Sequence, residues 1–173
     1  MYKIAIPSHK RSKVIRSKVL TFLEGHSIKK ELIYIFVAEE EFYDYKQELP
    51  DYNIVKGALG IGPNREAISN HFGDNEFLVS LDDDVTNLLD KGTSLIDLNL
   101  FITQTFHLLI ENNLTLAGVY PSRNPFFCKN TITTDLRFII GQFKCFINKK
   151  QLEKRNYELL EDYETTLKHY FHS

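Results

Sequence analysis

Cysteine is scarce in this chain: Cys128 and Cys145 are the only two in 173 residues, in no metal-type spacing, which favours a reducing compartment. Long apolar runs are missing too, so no segment reads as a membrane span, and the opening MYKIAIPS is too short and polar for a signal peptide. Internal repeats and low-complexity tracts are absent. A net charge of −2 gives no argument for a nucleic-acid or membrane partner. What remains is ordinary for a soluble globular protein, with 43% hydrophobic and 25% charged residues and length enough for one domain, 1–173, with a sizeable core. A cytoplasmic location is expected. Charge is nonetheless uneven: residues 1–30 carry eight Lys or Arg against one acid, and residues 31–51 carry seven acids against one Lys. A basic opening segment either faces phosphates or is a solvated helix face.

The first half alternates in type. Residues 2–7 predict a strand stopped by Pro7, and Ile15, Val19, Phe22 and Leu23 recur at the helical interval up to Gly25. Residues 32–38 form a continuous apolar strand and 53–56 a short one; after the GALGIGPNR loop a helix runs from Asn64 or Arg65 to about His71, and FLVSL follows. This order predicts an α/β fold with a mainly parallel central sheet flanked by helices, whose ligands collect at the carboxyl ends of the strands. In the second half, a helix over roughly 95–112 opens at Ser94 with Asp97 three positions on. LTLAGVYPS and ITTDLRFIIGQFKCFIN read as extended strands, the second bent at Gly141. A last helix carries Leu160, Tyr163, Leu167, Tyr170 and Phe171 on one face, with Glu161 and Asp162 near its start.

The chemistry concentrates at FLVSLDDDV. Three aspartates at the end of an apolar strand repel one another, and solvent, a turn, a helix cap or a divalent cation must compensate. Alternation along an extended strand sends Asp82 and Asp84 to one side and Asp83 to the other. Two carboxylates suffice for Mg²⁺ or Mn²⁺, which takes its remaining ligands from water and phosphate. Gly60-Ile61-Gly62 precedes a proline and reads as loop geometry.

Taken in order, IAIPS, an apolar strand ending in acids, GIGPNR and FLVSLDDD resemble the GT-A, Rossmann-like glycosyltransferases that use nucleotide sugars and carry an Asp-x-Asp motif at the end of a central strand. The resemblance covers residues 2–86 and extends more loosely to 173, dividing the chain into a nucleotide-sugar half (1–86) and an acceptor-side half (87–173). In its compactness the chain is similar to viral and phage-type members, including the TET-associated group, either as a minimal enzyme in the host cytoplasm or as part of a longer protein.

The resemblance implies that Pro7, Ser8 and Arg11 lie against the base or ribose, with Glu39 and Arg65 as further nucleotide contacts. Asp82 would sit near the ribose or sugar, Asp83 beside it, and Asp84, with Asp82, would hold Mn²⁺ or Mg²⁺. Glu161-Asp162 is similar to the acid pair near the acceptor, with Asp162 as the base and Glu161 beside it. His169 or His172 is placed to complete a metal shell, and Tyr120, Phe126, Phe127 and Arg123 lie on the acceptor side. Each has a plainer reading: Ser8 and Arg11 as helix-start residues, Glu39 in a solvated acidic run, Arg65 in a surface ion pair, Glu161 and Asp162 as stabilising acids at a helix start.

The implied reaction moves a sugar, a UDP-sugar being the expected donor, to a hydroxyl of a glycan, a protein or a hydroxymethylated DNA base. A carboxylate takes the acceptor proton, and a single displacement inverts the anomeric centre. Two alternatives stand beside it. A nucleotidyltransferase would be expected to carry a glycine-rich loop after the first strand, and IPSHKRSK has no glycine. A non-catalytic nucleotide-sugar-binding domain would keep Asp82 and Asp84 without turnover.

Overall fold

The computed structural model describes residues 1–120, 122, 124, 126, 131–154 and 160–172. In chain order its elements are β1 (Tyr2–Pro7), α1 (Val19–Gly25), β2 (Ile33–Val37), α2 (Phe42–Glu48), β3 (Asn53–Lys56), α3 (Ile61–His71), β4 (Phe77–Leu81), the short hairpin β5 (Leu89–Asp90) and β6 (Thr93–Ser94), α4 (Leu98–Glu111), β7 (Leu116–Gly118), β8 (Phe143–Ile147), α5 (Lys150–Glu153) and α6 (Glu161–His172). No helix among the described residues is long and apolar enough to cross a membrane.

The sheet has the order β3-β2-β1-β4-β8-β7. β3, β2, β1 and β4 run parallel, while β8 is antiparallel to both β4 and β7. This confirms the expected α/β architecture. Both faces of the sheet are covered, so its strands are apolar throughout, yet their side chains still alternate between two cores. Ile4, Ile6, Ile35, Val79, Leu81, Phe143 and Cys145 join Leu20 and Leu23 of α1 and Ile102 and Phe106 of α4. Ala5, Phe36, Leu78 and Phe146 form a smaller cluster with Ile68 of α3 and, just beyond it, Phe72. α5 packs against α3, and α6 against α5 and β7.

Several local expectations are corrected. Only Val19–Gly25 of the first helical segment is an α-helix, after a 3₁₀ turn over Ile15–Ser17. The stretch before it leaves helical geometry where Lys10 takes φ 54°. The acidic run is not a loop: Glu39–Glu41 is a 3₁₀ turn leading into α2, whose Tyr45 is buried with Leu49 in the larger core. α3 begins earlier than expected, after Gly60 at φ 92°, a conformation glycine adopts without strain. α4 is capped by Asp97, which accepts from Leu100 N at 2.8 Å, while Ser94 belongs to the hairpin.

Of ITTDLRFIIGQFKCFIN, only Phe143–Ile147 pairs as a strand. Just before it, Ile139 N donates to Thr166 Oγ1 and Gly141 N to Asp162 Oδ2, so this stretch bonds to α6 rather than to a neighbouring strand. α6 presents its faces in the reverse of the usual sense. Glu161, Glu164, Thr165, Thr166 and His169 are buried, and Leu160, Tyr163, Leu167, Tyr170 and Phe171 are exposed. Burying a polar face requires that its groups be bonded. Part of that bonding is a buried line in which His169 lies between Glu153 Oε1 and Thr115 Oγ1, each at 2.8 Å.

Candidate functional site

The carboxyl ends of β1 and β4 meet the beginning of β8 at one edge of the sheet. Asp82 N donates to Gln142 O (3.1 Å) and Ser8 N to Phe36 O (3.0 Å), which fixes both loops where their strands stop. The three aspartates leave the strand in a turn, with Val85 N reaching back to Asp82 O at 3.3 Å. Strict strand alternation therefore does not decide where they point, and their environments differ.

Asp83 is the buried one. Ser8 Oγ donates to its Oδ2 at 2.6 Å and Arg11 Nη1 to its Oδ1 at 2.5 Å. Ser8 Oγ is also 2.7 Å from Tyr45 OH, which accepts from Arg11 N at 3.0 Å. With Asp83 taking the Ser8 proton, Tyr45 donates to Ser8, and the network closes with consistent directions. Ser8 and Arg11 thus anchor the aspartate turn instead of capping a helix. Asp84 is 59% exposed and lies 3.2 Å from Arg11 Nη1. The charge of Asp83, with hydrogen bonds to Asp84 and Asp83, pushes the Arg11 guanidinium further up.

Arg65 makes the second cluster and corrects the surface ion-pair reading. Its side chain is 4% exposed and binds three carboxylates: Nη1 meets Glu161 Oε1 and Asp162 Oδ1, and Nη2 donates to Asp82 Oδ1 at 3.2 Å. Gly141 closes over it, and a Cβ there would fall on the guanidinium. The neighbouring Asn64 plugs the end of β2, donating to Phe36 O at 3.0 Å and lying where a Cβ at Gly57 would sit.

One cation serves three anions, so the balance differs by partner. Burial opposes the charge on Arg65, but Glu161 and Asp162 outweigh it and the guanidinium is pushed up. At Glu161 burial wins over Arg65 and the carboxyl is pushed up. Asp82 is raised by burial as well, with the charges of Asp84 and Asp162 adding to the effect. A carboxyl raised in the folded state holds its proton where the unfolded chain has lost it. Its contribution to stability therefore falls as pH rises from the ordinary carboxylate range through the folded value. Glu161→Gln, which imitates the protonated form, is expected to be more stable than wild type near pH 7, with the gain shrinking toward about pH 3. Urea unfolding at both pH values checks this, and equal stability at both would contradict it.

Other expected residues lie apart. Glu39 is exposed at the end of β2 and paired with Lys56 at 2.7 Å, whose hydrogen bond lowers its carboxyl. Pro7 ends β1, buried and opposite Phe36. His169 is buried and bonded to Glu153 and Thr115. His172 is exposed ten residues along α6 from Asp162, about 15 Å away at the helical rise. Tyr120 accepts from Arg137 Nη1 at 3.4 Å and Phe126 is exposed. Phe127, Arg123 and Cys128 lie outside the described residues. Sequence reasoning missed Tyr45 and Gly141, whose roles depend on partners far away in the chain.

Among the described residues no three His, Cys, Asp or Glu side chains are gathered to hold a metal ion. Asp84 and Asp82 nevertheless suit a hard divalent cation. They supply two oxygen-donor groups, one exposed and one 30% open, in a carboxylate cluster that its arginines do not neutralise.

No protein-family model and no curated protein matches the sequence. Solved structures do. A mannosyltransferase from Pyrobaculum calidifontis in complex with GDP-Man and Mn²⁺ matches 88% of the chain at 11% identity and TM-score 0.54. TarS from S. aureus in complex with UDP-GlcNAc matches 98% at 14% identity and TM-score 0.57. A 4-diphosphocytidyl-2C-methyl-D-erythritol synthase from Anaerococcus prevotii matches 95% at 12% identity and TM-score 0.53. The chain spans about half the length of the first two, 45% and 53%, and 82% of the synthase. At these identities the likeness is one of fold. It is the GT-A-like, Rossmann-type arrangement, found here in glycosyltransferases and in a nucleotidyl-transfer enzyme alike.

Proposed function

We propose that this chain transfers a sugar from a nucleoside-diphosphate donor, a UDP-sugar, to an acceptor hydroxyl, with inversion by single displacement. The observation that carries this reading is the shared hold on Arg65. It joins Asp82, at the end of β4, to Glu161 and Asp162, at the start of α6. A donor-side carboxylate and a candidate base thus meet in one site, as sugar transfer requires.

Asp84, with Asp82, would hold Mn²⁺ or Mg²⁺, and the cation would offset charge growing on the leaving diphosphate. Ser8, Arg11 and Asp83 shape the nucleotide side beside Pro7, and Glu39 borders it at the next strand end. Asp162, 22% open, takes the proton from the acceptor hydroxyl. Arg65, itself held by Glu161, and the Gly141 N–H hold Asp162 in place, so Arg65 acts through the carboxylates it binds.

Calorimetric titration of UDP, GDP and CDP with and without Mn²⁺ tests the donor side. UDP is expected to bind only with the metal, and Asp84→Ala is expected to weaken it at least about hundredfold, the scale of one lost charge-assisted contact. Failure of every nucleotide to bind under both conditions would sink the reading. Nucleotidyl transfer is the second reading, favoured by the match over 82% of the synthase chain. It predicts consumption of CTP with release of pyrophosphate, whereas sugar transfer consumes a UDP-sugar and releases UDP. Nucleotide binding without turnover of either kind would leave a binding domain.

A further inference from the structure

The apolar stripe of α6 begins beside the candidate base. Tyr163 follows Asp162 and is 49% exposed. Its ring stacks on that of Phe138, 38% exposed, with centroids 3.8 Å apart and planes within 11°. Phe138 lies on the same stretch as Gly141, whose N–H donates to Asp162 Oδ2 at 3.0 Å. Backbone and helix thus carry two open aromatic rings to the rim of the carboxylate cluster. Neither ring is needed to fill a core.

We infer that Phe138 and Tyr163 form a platform for the acceptor, and that the acceptor presents a neutral pyranose ring to it. This rests on the proposed transfer reaction. An aromatic face accepts the C–H face of a sugar, leaving the hydroxyls at the ring edge free to reach Asp162. The pairing of charges near the rings favours a neutral glycan over a nucleic acid. Arg65 is held by Asp82, Glu161 and Asp162, and Arg137 and Lys168 are paired with Asp135 and Glu164 at 3.0 Å and 2.6 Å. A phosphate backbone would have to compete with these carboxylates for the cations. Lys10, Lys13 and Lys18 belong to the segment leading into α1, whose Leu20 and Leu23 pack in the larger core, on the face of the sheet opposite Ile68 of α3.

The test uses amide NMR spectra of the whole chain with UDP and Mn²⁺ present. The probes are the methyl pyranosides of glucose, galactose, mannose and N-acetylglucosamine, and a single-stranded DNA oligonucleotide. At least one pyranoside is expected to shift the amides of residues 138–141 and 161–166. Tyr163→Ala and Phe138→Ala are each expected to weaken it about tenfold, the size of one aromatic contact, while Tyr163→Phe keeps it. UDP affinity is expected to be unchanged in all three variants. Bound UDP with no pyranoside shift would overturn the platform alone, and absence of UDP binding would overturn the underlying reading. DNA shifting the same amides, or a dimer that Tyr163→Ala dissociates, would also overturn it. The first would make the rings a base-stacking surface, the second a subunit contact.

Discussion

Asp162→Asn is expected to lower the turnover of donor and acceptor by roughly 10² to 10⁴, the usual contribution of a positioned general base. Asparagine matches the shape of aspartate and can still accept from Arg65, but it cannot take a proton at neutral pH. Donor affinity is expected to stay within a few-fold, because Asp82 and Asp84 are untouched. Glu161→Gln separates the two acids. Its carboxylate is buried against Arg65, so substitution is expected to leave most of the turnover in place. Steady-state release of UDP, with metal-dependent UDP binding measured alongside, reads both quantities. Turnover that survives Asp162→Asn would move the base elsewhere.

The largest loss of stability is expected at Arg65. Arg65→Leu leaves Asp82, Glu161 and Asp162 close together, partly buried and without their shared cation. Breaking a buried ion pair from one side costs about 3–5 kcal/mol. Lysine is not expected to rescue it, since a single ammonium cannot reproduce the fork that reaches three carboxylates. The deficit has a pH signature. Without the guanidinium the Asp82 and Glu161 carboxyls rise further, so the native state binds more protons than the unfolded chain, and the variant regains stability as pH falls. Urea midpoints measured from neutral to mildly acid pH test this, and a deficit independent of pH would show that lost packing dominates.

Much of this arrangement was legible in the sequence. The parallel strands, the aspartates at the end of β4 and the acids at the start of α6 follow from apolar runs and from where they stop. So does the coincidence of Ser8, Arg11 and the aspartates, because strand ends of a parallel sheet share one edge. The environments were not legible. Nothing local to FLVSLDDDV singles out Asp83 as the buried aspartate, since Ser8 and Arg11, more than seventy residues away, decide it. Arg65 reads like any loop-to-helix arginine until α6 arrives. α6 misled most, because its apolar periodicity is real but faces solvent. Its inner face is held by Arg65, Thr115 and Glu153, which no helical pattern records. The stretch before Gly141 has the residues of a strand but spends its bonds on α6.

β4 lies inside the sheet only because β8 pairs with it, and β8 begins at Phe143. During synthesis, the strand that leads into the three aspartates emerges with one side of its backbone unpaired, an edge open to any other extended chain. Arg65 waits as well, its cation buried only once Glu161 and Asp162 are made. At ordinary translation rates of about 5–20 residues per second, that interval lasts on the order of ten seconds. A nascent chain of this protein therefore passes through a stage in which the strand carrying its candidate chemistry is also its most adhesive surface, and chaperone contact is best timed to that stage.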